Sequence, residues 1–327
     1  MNIEKLETNI GMSGKHDKVK YLFDNGIGRK VHAISAYFSQ GSNCIVKQSL
    51  KPISGFPRML TGNSPYDGGN LLLSTAEKES LERAYPESRD LIRKVCGAAD
   101  FLNGKDRWCL WIEDRQADKA ISISEIAGRI EKTKIFRENG GEVAKGLIDR
   151  PHQFRYTHAA NKSLIVIPRV SSMRRDYIPF GFLDNKHIVS DSAQAIYDPP
   201  PHIFAIISSR IHMTWVRAVA GRLKTDYRYS SALCYNTFPF PEISEKQKDT
   251  LEEHVFNILD ERELHSEKTM AQLYDPDKMP DGLRQAHHEM DMAVEKCYRS
   301  RPFNSDEERL EYLFKLYEEM VAAEGKS

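Results

Sequence analysis

The stretch that most constrains the fold is residues 163–183, where an arginine-rich segment separates two apolar, β-branched runs. The first run, residues 164–167, has the composition of a buried strand, and Pro168 is expected to end it or to place it at a sheet edge. The second run, residues 177–183, also predicts a strand. Residues 169–175 between them hold three arginines and two serines. The sequence therefore predicts a dense set of hydrogen-bond donors between two strands.

Two interpretations of this arginine-rich segment stay open. The arginine side chain presents a planar fork of donors that fits the O6/N7 edge of guanine or a phosphate, and serine can make either contact. A loop of this kind on a rigid scaffold would suit base reading. The alternative is a solvated turn with surface arginines, which are common in proteins. On these residues alone the solvated turn is the simpler interpretation.

Charge is distributed unevenly along the chain, although the formal net charge is zero. Residues 129–175 contain 11 Lys and Arg against 4 Asp and Glu, whereas residues 241–327 contain 12 against 22. A basic middle and an acidic C-terminal segment indicate that one part meets a polyanion and the other does not. Two ordinary domains with different surfaces would give the same asymmetry.

Length and composition suit a globular protein of two or three domains, with 327 residues of which 40 % are hydrophobic. We find no apolar run of membrane-spanning length and no signal-peptide core at the N-terminus, so we expect a cytoplasmic protein without a membrane partner. The five cysteines are scattered and form no CxxC pair. Neither a disulfide framework nor a zinc site is therefore expected.

Motifs for catalysis are incomplete. Methyltransferases that act on base amines need an Asp/Asn/Ser-Pro-Pro-aromatic loop, and residues 198–201 (DPPP) lack the aromatic residue that would stack on the flipped base. No GxGxxG or P-loop occurs. His287 and His288 with Asp291 form the best metal-like cluster, but adjacent helical histidines point in different directions. We therefore predict no catalytic residue, no metal site and no cofactor in this chain.

Capping patterns and hydrophobic spacing predict the main elements. The basic side chains of residues 129–137 are expected along the polar side of their helix, and residues 67–69 (DGG) predict a tight turn with positive φ. The predicted helices follow Ser74 and cover 88–96, 122 to about 137, 202–220, 244 to about 265, 281–298 and 305–323; the predicted strands include one or two within 31–50, one within 101–112, 187–189 and 195–197.

Several stretches together resemble the C-terminal part of the MmeI-like restriction–modification enzymes. In that family one polypeptide carries a nuclease, a helical spacer, an adenine-N6 methyltransferase, a target-recognition domain and a C-terminal helical piece. The resemblance covers most of 35–320, in order. The stretches that carry it are 64–74 (SPYDGGNLLLS), 107–112 (RWCLWI), 167–175 (IPRVSSMRR), 217–222 (RAVAGR), 235–241 (YNTFPFP) and 274–287.

The resemblance implies an α+β protein. A mixed or antiparallel sheet with packed helices would form the DNA target-recognition domain at 51–241, and a small all-α module would follow at 242–327. Residues 1–50 would be an N-terminal tail or the end of a preceding methyltransferase domain. The nuclease and methyltransferase motifs are missing, so the chain is expected to be non-catalytic alone.

The resemblance also implies a set of DNA contacts. The loop that matches residues 171–175 reads base edges in the major groove of similar proteins, and Arg174 or Arg175 would be the bidentate guanine reader. Met173 departs from the polar residue expected there and would contact a thymine methyl or leave a base pair unread. The predicted base readers are Ser171, Ser172, Met173, Arg174 and Arg175; the predicted phosphate contacts are Arg155, Lys162, Arg169, Arg210, Arg217, Arg222, Lys224 and Arg228.

The implied partners are double-stranded DNA and a methyltransferase domain, in cis or as a separate chain. S-adenosylmethionine is expected only in that methyltransferase half, and the location would be the bacterial cytoplasm, on the nucleoid through DNA. Two alternatives stay open: an interaction module whose acidic helical tail docks a partner, and a stand-alone enzyme with an unrecognised site. The recognised bases and the oligomeric state do not follow from the sequence.

Overall fold

The computed structural model describes residues 20–24, 27–31 and 44–324. Two strands, β1 (Lys20–Asp24) and β2 (Ile27–Val31), form an antiparallel hairpin within the predicted N-terminal tail. The strands expected within 31–50 do not occur at 44–50, and residues 32–43 lie outside the described part. This hairpin was not expected from the sequence.

Eleven further strands in the described residues form three sheets. Their order is β10-β5-β6-β4, β3-β11-β7-β9 and β12-β13-β8, and the pairing is antiparallel except between β10 and β5. These strands are β3 (Met59–Thr61), β4 (Leu72–Leu73), β5 (Ile92–Cys96), β6 (Arg107–Leu110), β7 (Ser163–Pro168), β8 (Val170–Ser171), β9 (Gly181–Asp184), β10 (His187–Val189), β11 (Ala193–Tyr197), β12 (Gly221–Leu223) and β13 (Asp226–Arg228).

Helices surround these sheets and then continue alone to the C-terminus. The described helices are α1 (Thr75–Ala84), α2 (Ala98–Asn103), α3 (Ala117–Ser122), α4 (Ser124–Glu138), α5 (Glu142–Lys145), α6 (Pro201–Ile207), α7 (Arg210–Val219), α8 (Glu245–Glu263), α9 (Met270–Leu273), α10 (Asp281–Tyr298) and α11 (Asp306–Glu324). The predicted α+β class, with an all-α module at the end, is confirmed. None of the described helices combines the length and the apolar character needed to cross a membrane.

The apolar run at the centre of the sequence forms a buried central strand. Residues 164–167 on β7 are fully buried and pair with β11 on one side, and residues 164–166 also pair with β9 on the other. Pro168 therefore ends the strand, and the alternative of a sheet edge is wrong. Of the second run, only residues 181–183 form a strand, as part of β9. Residues 177–180 are buried without strand pairing because their side chains fill the core.

Two predicted helices are wrong in ways that have a physical cause. Residues 88–96 form a 3-10 turn (Pro86–Leu91) and then β5, because the backbone of β5 pairs with both β6 and β10. The predicted helix 202–220 is broken at Ser208. Ser209 caps the second half: its hydroxyl donates to the Ile206 carbonyl and accepts from the His212 amide.

The capping boxes had mixed outcomes. Ser74 and Glu77 form the predicted box of α1, and Ser244 with Gln247 forms that of α8. Helix α4 exists but begins at Ser124 without a side-chain cap. The hydroxyl of Ser122 instead donates to a carbonyl in the last turn of α3, so it is not available for α4.

The C-terminal helices share one hydrophobic core with the preceding sheets. Trp215 of α7 is fully buried, and its ring centroid lies 5.4 Å from that of Phe314 and 5.7 Å from that of Tyr317, both on α11. Burial of aromatic rings is a large source of packing free energy. The C-terminal module is therefore packed directly onto the helix that follows the sheets.

Candidate nucleic-acid interface

Residues 171–177, which we call the arginine loop, leave the sheet β12-β13-β8 at the end of β8. Ser171 pairs with Tyr227 of β13, so the loop begins beside the β12–β13 hairpin (residues 221–228). The Met173 amide faces the Asp226 carboxylate at 3.4 Å, and the Arg175 amide donates to the Ser172 carbonyl at 3.2 Å. One small sheet therefore carries both the loop and the hairpin.

The five predicted base readers differ in exposure. Ser171 is only 1 % exposed, and its hydroxyl has no hydrogen-bond partner among the described residues. Ser172 and Arg175 are partly buried, whereas Met173 is 50 % exposed and Arg174 is exposed. The loop thus presents a central apolar side chain flanked by polar groups, with Ser171 facing the interior.

The two arginines of the loop have different electrostatic surroundings. Arg174 forms an ion pair of 2.6 Å with Asp277 of the C-terminal module, and this carboxylate raises the pKa of Arg174. Arg175 makes no side-chain hydrogen bond within 44–324. Burial lowers its pKa, and the carboxylates of Asp275 and Asp226 act in the opposite direction. Arg175 is therefore a desolvated cation near two acids but bound to neither.

Three of the eight predicted phosphate contacts lie together on the hairpin. Arg222 stacks over the ring of Tyr227, with 3.9 Å between guanidinium carbon and ring centroid. Lys224 lies in the turn with a φ of +57°, and Arg228 is exposed on β13. In the described chain neither Lys224 nor Arg228 has a side-chain hydrogen bond or ion pair. The hairpin also exposes Leu223, by 53 %.

Two further predicted contacts, Arg210 and Arg217, lie on one face of α7 as expected from their spacing, but that face meets the C-terminal module. Both bind Asp306 at the start of α11, at 2.8 and 3.2 Å. Arg217 also lies 4.0 Å from Asp176 of the arginine loop. Their charges are therefore neutralised within the protein.

The remaining three contacts lie elsewhere. Arg155 stacks against Tyr156, 5.0 Å from its ring centroid. Arg169 donates to the Thr61 hydroxyl at 2.8 Å, and its Nε is buried without a partner among the described residues. Lys162 is exposed at the opposite end of β7 from the arginine loop, a strand length of roughly 20 Å. The structure thus does not bring all eight basic residues onto one surface.

Arg137 was expected on the polar side of α4, and this is wrong because its side chain is fully buried. Its guanidinium donates to five backbone carbonyls, two between β3 and β4 and three after α5. Burial lowers its pKa to about 10. The acceptors are the carbonyls of Pro65, Tyr66, Leu147, Arg150 and Gln153, at 2.6 to 2.9 Å.

The residues of the incomplete catalytic and metal motifs, and those of the DGG turn, have structural roles. Asp198 accepts hydrogen bonds from the amides of residues 161–163, which positions the start of β7. His287 is buried, and its Nε2 lies 2.7 Å from the Tyr274 hydroxyl. Residues 67–69 form the predicted turn, with φ of +64° and +86° at its two glycines. No group of acidic, histidine or cysteine side chains within the described residues could hold a metal ion.

Contacts from the C-terminal module to the arginine loop were not anticipated from the sequence. Arg284 of α10 donates to the Asp176 carboxylate at 3.3 Å, and the Tyr177 hydroxyl donates to the Asp291 carboxylate at 2.7 Å. A cleft of about 520 Å³ lies at this junction. The sequence contained one signal of these contacts, because Arg284 and Asp291 are charged residues on a helix whose apolar face is buried.

Two family models cover most of the chain. The model for the MmeI target recognition domain matches residues 40–242, and the model for the MmeI C-terminal domain matches residues 243–323. Their junction lies between α7 with its following hairpin and α8.

Two longer proteins are similar to nearly the whole chain. DNA methyltransferase A of Bacillus subtilis (strain 168) is 45 % identical over 314 residues, which are 95 % of this chain and 36 % of that protein. A solved structure of the Type IIL restriction-modification enzyme MmeI in complex with DNA is 33 % identical, with a TM-score of 0.85, and the match covers 95 % of this chain and 42 % of that one. The chain therefore spans about two fifths of the relatives it matches.

Proposed function

The chain belongs to the family of the MmeI target recognition and C-terminal domains, and we propose that it reads the sequence of duplex DNA. In this proposal it is the target-recognition part of an adenine-N6 DNA methyltransferase in a restriction–modification system. The relatives support it, since one is named a DNA methyltransferase and the other is an MmeI enzyme in complex with DNA.

The observation that carries the proposal is the shared sheet β12-β13-β8. It mounts the arginine loop beside a hairpin whose Lys224 and Arg228 have no acidic partner within residues 44–324. Contacts to bases specify a sequence, whereas contacts to phosphates fix the register of a protein on the duplex. A loop that reads bases beside a hairpin that binds the backbone provides both.

Within the loop, Arg174 and Arg175 are the proposed guanine readers. A bidentate contact from arginine to guanine discriminates against a wrong base by about 1–3 kcal/mol. Met173 suits apolar contact with a thymine methyl, and Ser172 suits a polar contact. Ser171 is buried, so its proposed role is to support the loop from the protein interior.

Phosphate contacts are proposed for the hairpin residues Arg222, Lys224 and Arg228. Arg155, Lys162 and Arg169 remain candidates from other parts of the surface. Arg210 and Arg217 are the weaker members of the set, because releasing them for DNA would break two ion pairs with Asp306.

A methyltransferase half, in cis or as a separate chain, would supply S-adenosylmethionine binding and catalysis, and this chain would not methylate DNA alone. The share of each relative that the chain covers leaves room for such a half. We also propose the bacterial cytoplasm as the location, since DNA is the proposed partner.

Binding to a pool of random-sequence duplex DNA, at several salt concentrations and with sequencing of the bound fraction, tests the proposal. The wild-type chain should enrich a motif, and R174A R175A should lose it. The double variant R83A R89A is the matched control, because it removes two exposed arginines from the region of α1 and should keep the motif.

The other outcomes each contradict a part of the proposal. Sequence-blind binding would mean that this chain contributes only backbone contacts. Absence of binding at low salt would contradict the DNA reading and favour the interaction module. Methyl transfer by this chain alone would favour the stand-alone enzyme.

A further inference from the structure

We propose that the C-terminal helical module is a positioning element for the arginine loop, with Asp277, Arg284 and Asp291 as its positioning residues. The inference rests on the proposed function. It adds that base discrimination by the loop depends on residues that lie about 100 positions further along the chain, in a different domain.

The first contact fixes Arg174. Its ion pair with Asp277 links a side chain that is 64 % exposed to one that is 68 % exposed, so packing alone does not hold either group. Asp277 itself is presented by a tight turn. Its amide donates to the Asp275 carboxylate at 3.0 Å, and the Asp275 carbonyl accepts from the Met279 amide at 2.8 Å.

The residues at both ends of this turn are buried. Tyr274 is 2 % exposed, and its hydroxyl contacts the His287 imidazole and accepts from the Arg262 guanidinium. Met279 at the other end of the turn is also buried. Both ends of the turn are therefore fixed in the core of the module, so Asp277 offers its carboxylate from a defined place.

The second contact is made by Arg284 of α10, which binds both the loop and the turn. Arg284 donates from one terminal nitrogen to the Asp176 carboxylate at 3.3 Å and from the other to the Pro276 carbonyl at 3.1 Å. It therefore joins the loop to the turn that carries Asp277. Two residues of the loop, Arg174 and Asp176, are thus bound to one segment, residues 276–284.

The third contact fixes the end of the loop. The Tyr177 hydroxyl donates to one oxygen of the buried Asp291 carboxylate, and the amide of Arg210 donates to the other, each at 2.7 Å. The ring of Tyr177 stacks on that of His287, with centroids 4.2 Å apart. Asp291 therefore ties the loop to the first turn of α7.

The geometry favours support of Arg174 over competition with DNA. Asp277 contacts one terminal nitrogen of the guanidinium, which leaves the other terminal nitrogen and Nε with free donors. An arginine side chain loses much rotational freedom when it is fixed. A carboxylate that holds it before DNA arrives removes part of that loss from the binding step.

The test compares D277N with D249N in the full chain, by sequencing the fraction of a random duplex pool that each variant binds. Asp249 is an exposed residue of α8 with no side-chain partner in the described residues, so it is a matched control for the change in charge. D277N should lower discrimination at one position of the motif by about threefold, the size expected for loss of an exposed ion pair. D249N should keep the wild-type motif.

Hydrogen exchange of the DNA-free chain tests the positioning directly. The amides of residues 172–177 should exchange several-fold faster in D277N and in D277N R284Q than in D249N, because the loop opens locally when its ties are removed. A loop held by its own backbone would show equal exchange in all variants, and that result would overturn the inference.

The outcomes separate this inference from the proposed function. If the wild-type chain enriches no motif, the proposed function fails, and the claim about discrimination fails with it. If the wild-type chain enriches a motif and D277N enriches the same one with equal discrimination, only the positioning inference fails. Tighter binding by D277N with an unchanged motif would identify Asp277 as a competitor of DNA and would also overturn it.

Discussion

The hairpin and helix α7 carry basic residues of the same kinds in very different surroundings. On the hairpin, Lys224 and Arg228 are exposed and have no acidic partner within the described chain. On α7, Arg210 and Arg217 share the carboxylate of Asp306, which belongs to the C-terminal module. The two pairs lie on neighbouring segments of the chain and differ in the carboxylates that surround them.

This difference indicates that the attraction of a basic side chain to a phosphate depends on whether a carboxylate already neutralises its charge. A cation whose charge is already compensated by a carboxylate gains less from a phosphate contact, whereas an unpaired one gains more and releases counterions. The hairpin should therefore govern DNA binding, and α7 should govern the attachment of the C-terminal module.

Arg137 donates hydrogen bonds to five carbonyls within the protein, so its substitution should have the largest effect on stability. R137A leaves five backbone carbonyls without their donor and should lower the free energy of unfolding by about 4 kcal/mol or more. K132A, an exposed residue on the same helix, should change it by less than about 0.5 kcal/mol. Urea denaturation of both variants measures the difference, and equal values would show that the loops do not depend on Arg137.

Asp291, on α10, is a carboxylate that is buried near charged groups, in contrast to the solvent-accessible acids that bind Arg210 and Arg217. Burial raises its pKa to about 7; the Tyr177 hydroxyl and the Arg210 amide counteract this shift, Glu295 adds to it, and the Arg210 charge opposes it. The folded state therefore binds the proton more tightly than the unfolded chain, and stability falls as pH rises from about 4 to 7, by about 1.4 kcal/mol per pH unit.

Substitution of this residue gives a test with a defined sign. The free energy of unfolding of D291N minus that of the wild type should rise by about 2 kcal/mol between pH 5 and 7 and stay constant above about pH 8. Urea denaturation at each pH measures it, and the subtraction cancels the buried histidines common to both proteins. Parallel pH profiles would show that Asp291 is ionised throughout this range.

The ion pairs of α7 should matter for stability and not for DNA. D306N removes the carboxylate that Arg210, Arg217 and Arg309 share and should lower the free energy of unfolding by about 1–2 kcal/mol. The salt dependence of DNA binding should stay at the wild-type value. If D306N makes that dependence steeper, the α7 cations reach the duplex when freed, and the contrast with the hairpin breaks down.

The hairpin cations should show the opposite pattern, with the smallest effect on stability. K224A R228A should change the free energy of unfolding by less than about 0.5 kcal/mol. It should reduce the slope of log K against log salt by about 2, which is the loss of two phosphate contacts. An unchanged slope would place the duplex elsewhere on the surface.

Local signals in the sequence predicted much of the fold. Capping boxes located the starts of α1 and α8, and helical spacing gave α10 with its observed bounds. The apolar run at 164–167 predicted a buried strand because four β-branched or large apolar residues in a row suit a position covered on both faces. The errors at 88–96 and 202–220 arose where pairing with distant strands or a serine cap overrode local preference.

The candidate site was less accessible to sequence reasoning. The exposed loop residues were identified, but Ser171 and Arg137 were expected at the surface and are buried. Arg210 and Asp306 lie 96 positions apart, so no local pattern reveals their ion pair. The charge state of a surface depends on such long-range partners, and these appear only in the folded chain.

The side chain of Arg137 also couples two segments that are distant in the sequence. Its five acceptors belong to two segments, 65–66 and 147–153. Both segments therefore depend on the same guanidinium for their fixed conformation. Loss of this one side chain from its site should release both segments as a single cooperative unit in hydrogen exchange, separately from the β7 sheet.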